Sequence, residues 1–392
     1  MIFVKNVGIV AEYNPFHKGH LYQLQTLKKL GAETVTVCMS GNFVQRSEPA
    51  ILDKFERAKV AVLSGADLVI SLPLRYSIAS ARDFAYGSVF LLDKTGFVDT
   101  LSFGAETPDL SLFYKTAEYE KKAESDGLIK NYMDEGLQFA VAREKAIIAE
   151  GGKFVPKEPN DILAYEYLLA IEKLSSDIVP FPIKRLGSFH DDASEYSATC
   201  ARKKIEENTL EEGDLPEFSN FSVMSALENG NIADYKKFET VVLATLRRAA
   251  VFGLPKKELY GLSGGLENRI LKFAPSATSL YELYESVKTK RYAFSAVRRG
   301  VLSMFFGLDK FPEPPTHFHV LAFSEKGREL LKKLKKSDFP VYHSLPSEKD
   351  DKFTEEMKTE VFADNIYSLC KKKTEKGGQS FYNTSFNKIR GV

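Results

Sequence analysis

A doubly wound α/β fold with a parallel sheet, followed by a mainly α-helical second domain carrying a small α/β appendage, is the architecture this sequence predicts. Three observations lead there. Short apolar, β-branched runs alternate with helical patterns through the first half of the chain, which right-handed crossovers turn into a parallel sheet. From about Glu206 the texture changes, and successive helical periodicities follow one another across short breaks. The length of 392 residues exceeds one comfortable hydrophobic core, so two domains are expected, 1–208 and 209–392.

The stretch Ile2 to Val10 reads as a buried parallel strand, followed by a turn at Asn14-Pro15 and a helical pattern from His17 to Leu30. His17 and His20 therefore fall where strand hands over to helix. Three residues apart in a first turn, their imidazoles point to one side, beside unpaired backbone N–H groups and the positive end of the helix dipole. That makes an anion site with two movable protons, able to follow charge building on an α-phosphate and a leaving pyrophosphate. Gly19, without a Cβ, lets a bulky ligand lie against the helix backbone. The plainer alternative is that the two histidines only cap and pack.

Thr34 to Cys38 is the second strand, and it empties into the polar loop Met39 to Pro49. Ligands of open parallel sheets bind at strand C-termini, so Asn42, Gln45 and Arg46 are candidate substrate contacts; side chain to backbone bonds in a solvated connection would account for them equally. A helix from Asp53 to Ser64 stops at Gly65, and the strand Asp67 to Leu72 ends at Pro73, with Asp67 either a turn residue or a functional acid. Ser80 to Lys94 repeats the helix, and Val98 to Phe103 repeats the strand before Gly104-Ala105-Glu106. Two charged amphipathic helices, Leu110 to Ala123 and Ile129 to Ala149, form an insertion on this pattern. Asn160 or Asp161 is expected to cap the next helix, leaving the other free to reach a ribose or a base edge. The fifth strand, Ile178 to Leu186, delivers Lys184 and Arg185 into the loop 187–192, which contains His190. The segment from Tyr196 then opens a basic helix whose Ser197, Thr199 and Arg202 form a second phosphate-binding arrangement, unless Ser197 is simply its N-cap.

Helical patterns follow at Ile232 to Phe252, Leu259 to Phe273, Ala277 to Val287 and Arg291 to Phe306, with the domain boundary expected in the acidic stretch 206–217. The appendage comprises His317 to Phe323, a helix Glu325 to Lys335, Val341 to Ser344 and a last helix Asp350 to Lys373. Residues 288–310 hold Lys288, Lys290, Arg291, Arg298, Arg299 and Lys310 against one acid, interleaved with Tyr292 and Phe294. Such a patch suits a phosphate backbone with aromatics for stacking unpaired bases, or else it is a solvated basic face. A formal net charge of +1 excludes a uniformly basic nucleic-acid binder but not a local patch. The three cysteines are far apart and lack CxxC spacing, as expected of reduced thiols in a cytoplasmic protein rather than a metal site. No signal-like start and no apolar run of about 18 residues is found, so neither export nor a membrane partner is expected.

His17-Lys18-Gly19-His20 resembles the HxGH motif of the nucleotidyltransferase superfamily, whose sheet is Rossmann-like. The longer string Glu12-Tyr13-Asn14-Pro15-Phe16-His17 resembles the bacterial tRNA(Met) cytidine acetate ligase family, with further likeness at Gly265 to Ile270 and Lys290 to Tyr292. The resemblance implies an enzyme that forms acetyl-adenylate from ATP and acetate and acetylates N4 of the wobble cytidine of elongator tRNA(Met). It implies ATP binding by Val7, Gly8, Ile9, Val10, Ala11, Glu12, Tyr13, Asn14, Pro15, Phe16, His17, Lys18, Gly19 and His20, by Gly104, Asn160 and Arg185, and by Ser197 and Thr199. The catalytic pair is His17 and His20, Mg2+ is expected to accompany ATP, and no protein-held metal or DNA partner is expected. The basic patch Lys290, Arg291, Arg298 and Arg299 is the candidate tRNA contact. Three positions depart from the family pattern: Ser47 stands for a usual Gly, Ser71 for a common acid, and Ala201 for Ile. A cytidine amine is a poor nucleophile, so activating the carboxylate as a mixed anhydride fits the chemistry. The competing readings are a small-molecule nucleotidyltransferase that adenylylates a phosphorylated metabolite, for which the helical domain would lack a purpose, and a non-catalytic RNA-binding protein. The oligomeric state is left open.

Overall fold

The computed structural model describes residues 4–186, 197–254, 258–309 and 313–388; the loop 187–192, Tyr196 and Lys310 lie outside that set. Ten strands are present among the described residues: β1 (Asn6–Ala11), β2 (Thr34–Ser40), β3 (Phe43–Val44), β4 (Glu48–Pro49), β5 (Leu68–Leu72), β6 (Thr100–Ala105), β7 (Val179–Lys184), β8 (Phe318–Phe323), β9 (Val341–Tyr342) and β10 (Phe386–Asn387). The main sheet runs β10-β8-β5-β2-β1-β6-β7, with β9 beside β8. β1 lies between β2 and β6 and is parallel to both, and β2–β5 and β6–β7 are parallel pairs. The connections leave β1 in opposite directions, toward β2 and β5 on one side and β6 and β7 on the other. That reversal opens a crevice at the carboxyl ends of β1 and β6.

From Val7 to Ala11 β1 is apolar because both its faces are covered. Val7, Ile9 and Ala11 belong to one core, with Leu24 and Leu27 of the following helix α1 (Lys18–Lys29), and Val10 packs against the core on the opposite face. Gly8 is required by close approach: a Cβ there would sit 2.9 Å from Leu92 Cδ1 and 3.0 Å from Val98 Cγ1. The sheet thus rests against the helix Ala81–Lys94 with no room for a side chain.

The small C-terminal α/β appendage is joined to the main sheet. β8 adds to the main sheet, antiparallel to β5, and covers what would otherwise be an open edge of unpaired backbone groups. Asp67 fixes the junction: its carboxylate accepts from Val35 N (2.9 Å) and Ser324 Oγ (2.8 Å), while its carbonyl accepts from Ser324 N (2.8 Å). Asp67 is accordingly a turn residue and not a free acid. The insertion also differs, with three helices, Leu110–Ser125, Leu128–Asp134 and Phe139–Ala149, where two were expected; the chain breaks at Gly136, whose φ is +91°.

Five helices (Glu217–Asn229, Tyr235–Phe252, Leu266–Phe273, Leu280–Val287 and Phe294–Phe306) make the helical part. Its core takes in Phe43 of β3, whose ring lies 4.9 Å from Phe306 and 5.5 Å from Phe238. Across the expected boundary at 208, Ala201 and Ile205 share a small cluster with Leu210, Leu215 and Val223. The helices are therefore packed onto the loops of the sheet on both sides of that boundary.

Candidate active site

α1 begins directly below the crevice, and its two histidines cap it reciprocally. His17 is the N-cap, and its Nδ1 accepts from Gly19 N at 3.1 Å; His20 Nδ1 accepts from His17 N at 3.2 Å. This is the geometry of a capping box built from imidazoles. The rings stack with centroids 3.7 Å apart, and His20 is wedged against Tyr13 (4.7 Å) and Phe16 (5.5 Å). Both capping and catalytic readings were open from sequence. The structure shows capping by one ring nitrogen of each histidine, which leaves the other nitrogen to act.

That capping fixes the tautomer. A ring nitrogen that accepts from a backbone N–H carries no proton, so each neutral imidazole holds its hydrogen on Nε2. Burial first, then the positive charges of Arg185 and Arg202, pushes His17 down to about 3; burial, His17 and Arg185 hold His20 well below its ordinary value. The pair is therefore two neutral N–H donors in a positive field. Burial and the neighbouring arginines favour the neutral form of each ring, in which Nε2 carries the proton as a hydrogen-bond donor.

Cationic groups ring the histidines. Arg202, from the helix Ala198–Glu206, donates to Asn14 O (2.9 Å) and Thr199 Oγ1 (3.2 Å), while Ser197 Oγ accepts from Thr199 N as the N-cap. That second helix start is thus tied to the turn before α1. On the other flank, Arg185 Nη1 lies 3.2 Å from Glu106 Oε1, which also accepts from Asn160 Nδ2 at 2.7 Å. Gly104 makes this possible, since a Cβ would lie 3.1 Å from Arg185 Cγ. Asp161 accepts from Glu106 N (2.9 Å) and Thr107 N (3.0 Å). Neither Asn160 nor Asp161 caps the helix Pro159–Lys173, contrary to expectation; Pro159 opens it, and both side chains hold the loop after β6. Glu106 is the organising residue that sequence reasoning passed over, and burial raises its pKa against the pull of Arg185.

The remaining candidates sort by burial. Val7 and Ile9 are enclosed in the core, so any contact they make with a ligand would come from their backbone. Pro15, Phe16 and Tyr13 are buried, the last with φ +49° at the pivot into the turn. Glu12 accepts from Gln45 N at 2.8 Å, and burial raises its pKa while Arg46 and Arg202 oppose the rise. Arg57, enclosed and missed from sequence, donates to the carbonyls of Glu12, Ser40, Gly41 and Leu52, lashing the ends of β1 and β2 together. Asn42 is a correction to the expected substrate loop. Its amide donates to Asp364 Oδ1 (2.8 Å) and accepts from Lys54 N (2.7 Å), so its polar atoms are spent on the protein. Gln45 and exposed Arg46 remain facing the crevice side through Glu12.

The basic patch does not act as one surface. Lys290 is exposed, Arg298 turns inward to Glu48 (3.5 Å), and exposed Arg291 and half-buried Arg299 both line a cleft of about 800 Å³. Phe294 is packed against Tyr281 and Tyr284 and is not a free stacking platform, while Tyr292, its hydroxyl bonded to Gly264 O, lines the cleft. Among the described residues no three His, Cys, Asp or Glu side chains gather to hold a metal ion, and no helix is long and apolar enough to cross a membrane.

A parallel sheet reversing at β1, with a histidine-capped helix beneath the reversal, defines a nucleotidyltransferase of the HIGH class, and residues 4–380 match the HIGH Nucleotidyl Transferase family. A tRNA(Met) cytidine acetate ligase from a Thermoanaerobacter species is 38% identical over 96% of this chain and 98% of its own length, and one from Caldanaerobacter subterraneus is 36% identical over 93% and 95%. The crystal structure of Thermotoga maritima TmcAL bound with alpha-thio ATP superimposes with a TM-score of 0.85 at 31% identity, covering 98% of this chain and 99% of that one. The chain belongs to the tRNA(Met) cytidine acetate ligase family.

Proposed function

We propose that this protein activates acetate with ATP and transfers the acetyl group to N4 of the wobble cytidine of elongator tRNA(Met), working in the cytoplasm. The observation that carries the proposal is the pair of Nε2–H donors at the start of α1, neutral at physiological pH and flanked by Arg185 and Arg202. In the first step an acetate oxygen bonds to the α-phosphorus and the bond to pyrophosphate breaks, giving acetyl-adenylate. Negative charge grows on the phosphate oxygens, where preorganised N–H donors and a helix N-terminus act most strongly. His17 and His20 meet that charge without giving up a proton. In the second step the cytidine amine bonds to the acetyl carbon, AMP departs with the bonding pair, and the amine loses a proton to solvent.

The names of the relatives and the alpha-thio ATP bound by the Thermotoga protein support this reading. ATP contacts are proposed for the segment from Val7 to His20, for Gly104, for Asn160 and Arg185 gathered on Glu106, and for Ser197 and Thr199. Mg2+ bound to the nucleotide's oxygens would neutralise triphosphate charge. Pyrophosphate exchange into ATP tests the proposal: exchange that depends on acetate supports it. Exchange that depends instead on a phosphorylated metabolite would establish the small-molecule nucleotidyltransferase.

A further inference from the structure

We infer that the cleft of about 800 Å³ between the helix Phe139–Ala149 and the helix Phe294–Phe306 receives unpaired nucleotides of the acceptor RNA, separately from the ATP crevice. The inference rests on the proposed function for the identity of the RNA, and on the cleft for its place.

The lining chemistry is that of a single-strand site. Five cations, Arg82, Arg143, Lys157, Arg291 and Arg299, face two carboxylates, Glu144 and Glu166. Arg82 and Arg143 are paired with Glu166 and with Glu120 behind it, and Lys157 with Glu144 at 2.8 Å, which leaves Arg291 and Arg299 as the excess positive charge. Among the described residues Arg299 makes no hydrogen bond or ion pair, although it is half-buried in the wall. Its guanidinium lies in the field of Asp83 and Tyr260 but spends no hydrogen bond on either, so its N–H fork is available to phosphate oxygens, which it can meet bidentately. Exposed Arg291 adds a second cation on the same wall. Opposite stands Phe139, 39% exposed, with the guanidinium of Arg82 5.0 Å from its ring centre. A ring already approached by a cation and open to the cleft is a platform on which a base can stack.

Position supports the same occupant. The helix Pro159–Lys173 uses Asn160 and Asp161 to hold the Glu106 loop at the ATP crevice, and Ile162, Tyr165 and Glu166 to wall the cleft. One rigid element therefore borders both spaces, as a two-substrate enzyme needs if an RNA base is to reach an adenylate made next door. The volume lies near the top of the range of about 300–1,000 Å³ usual for small-ligand sites, and the excess of positive charge selects a polyanion.

The test is fluorescence anisotropy of labelled tRNA(Met) transcript with the full chain and with Phe139→Ala and Arg299→Gln, with ATP affinity measured by calorimetry to show that each variant is folded. The expected result is binding weaker by about tenfold or more for Phe139→Ala. For Arg299→Gln the salt dependence should be shallower by about one ion. Zero-length photocrosslinking from thiouridine in the anticodon loop should land on the peptide containing Phe139. Unchanged tRNA affinity in both variants overturns the inference, and so does a loss of ATP affinity with tRNA binding intact, which would assign the cleft to the nucleotide. Weakened tRNA binding in a protein that shows no acetate-dependent exchange would keep the cleft and remove the ligase reading.

Discussion

Two clusters of buried polar groups follow the carboxyl ends of neighbouring parallel strands, and they differ in where their hydrogen bonds end. At the start of α1, each imidazole spends one nitrogen on the backbone and keeps an N–H for something outside the protein. Where the helix Glu355–Cys370 meets β3 and β5, the groups end on one another. Lys54 Nζ reaches Asp364 Oδ2 at 2.6 Å, Asn42 reaches the other oxygen, Ser380 closes on the same carboxylate, and Glu360 accepts from Leu74 N. Lys54 is fully enclosed, and burial pushes Glu360 up to about 7 against the pull of Lys54. Burial and charge alone do not separate a site from a strut. Donors left over after the protein's own bonds are counted do.

Cutting each cluster tests that distinction. The largest effect is expected from Lys54→Ala, which leaves the Asp364 carboxylate buried without its cation and should cost about 3–5 kcal/mol of stability in urea unfolding. A loss below about 1 kcal/mol would mean that the pair is not a strut. His20→Ala should do the opposite: acetate-dependent pyrophosphate exchange falls by about 100-fold to 1,000-fold, the range for loss of one preorganised donor, with tRNA affinity retained. Retained exchange would take the histidines out of the chemistry.

The histidines carry a pH signature of their own. Unfolded imidazoles titrate near 6.5, whereas His17 in the fold is held down to about 3. Between those values the unfolded chain binds the proton that the folded chain refuses, so stability falls as pH drops through that window, by up to about 1.4 kcal/mol per pH unit for one group. Nitrogen-15 NMR of the ring should show the Nε2–H form of both residues from pH 8 to about pH 5; a protonated ring at pH 6 would break the account of neutral donors.

Asn42→Ala sharpens the comparison further, because its position in the sequence suits a site and its bonds suit a strut. The loss should appear as about 1–3 kcal/mol of stability, with the KM for ATP and for acetate unmoved. A raised KM at unchanged stability would return Asn42 to the substrate loop.

That residue also shows what the sequence could and could not reveal. The strand-helix alternation, the histidine pair and Ser197 were legible because their meaning is local: a period, a spacing of three, a cap; Gly104 and Arg185 came only from the resemblance to a family. Asp364 stands 322 positions from Asn42, and no local pattern links them. β8 was readable as a strand, but its pairing with β5 depends on an edge that only the assembled sheet presents. Glu106 looked like the end of a strand until Asn160 and Arg185 converged on it from 54 and 79 residues away.

The smallest effect expected is the one the sequence flagged most directly. Ser47, found where relatives in the resembled family usually carry Gly, has φ +60° and is 2% exposed. It is the last residue of the three-residue turn joining β3 to β4, closed by Ser47 N donating to Val44 O at 2.8 Å, and such turns place their third residue in the left-handed region. A Cβ there crowds the following carbonyl, a strain of about 1–2 kcal/mol that glycine escapes while losing part of the gain to unfolded-chain entropy. Ser47→Gly should therefore raise stability by about 0.5–1 kcal/mol in urea unfolding, and Ser47→Ala should not. Since the same turn presents Gln45 N to Glu12 beside the crevice, the glycine variant should leave ATP affinity intact; a fall in affinity would show that the serine hydroxyl, rather than the turn's backbone, matters at the site.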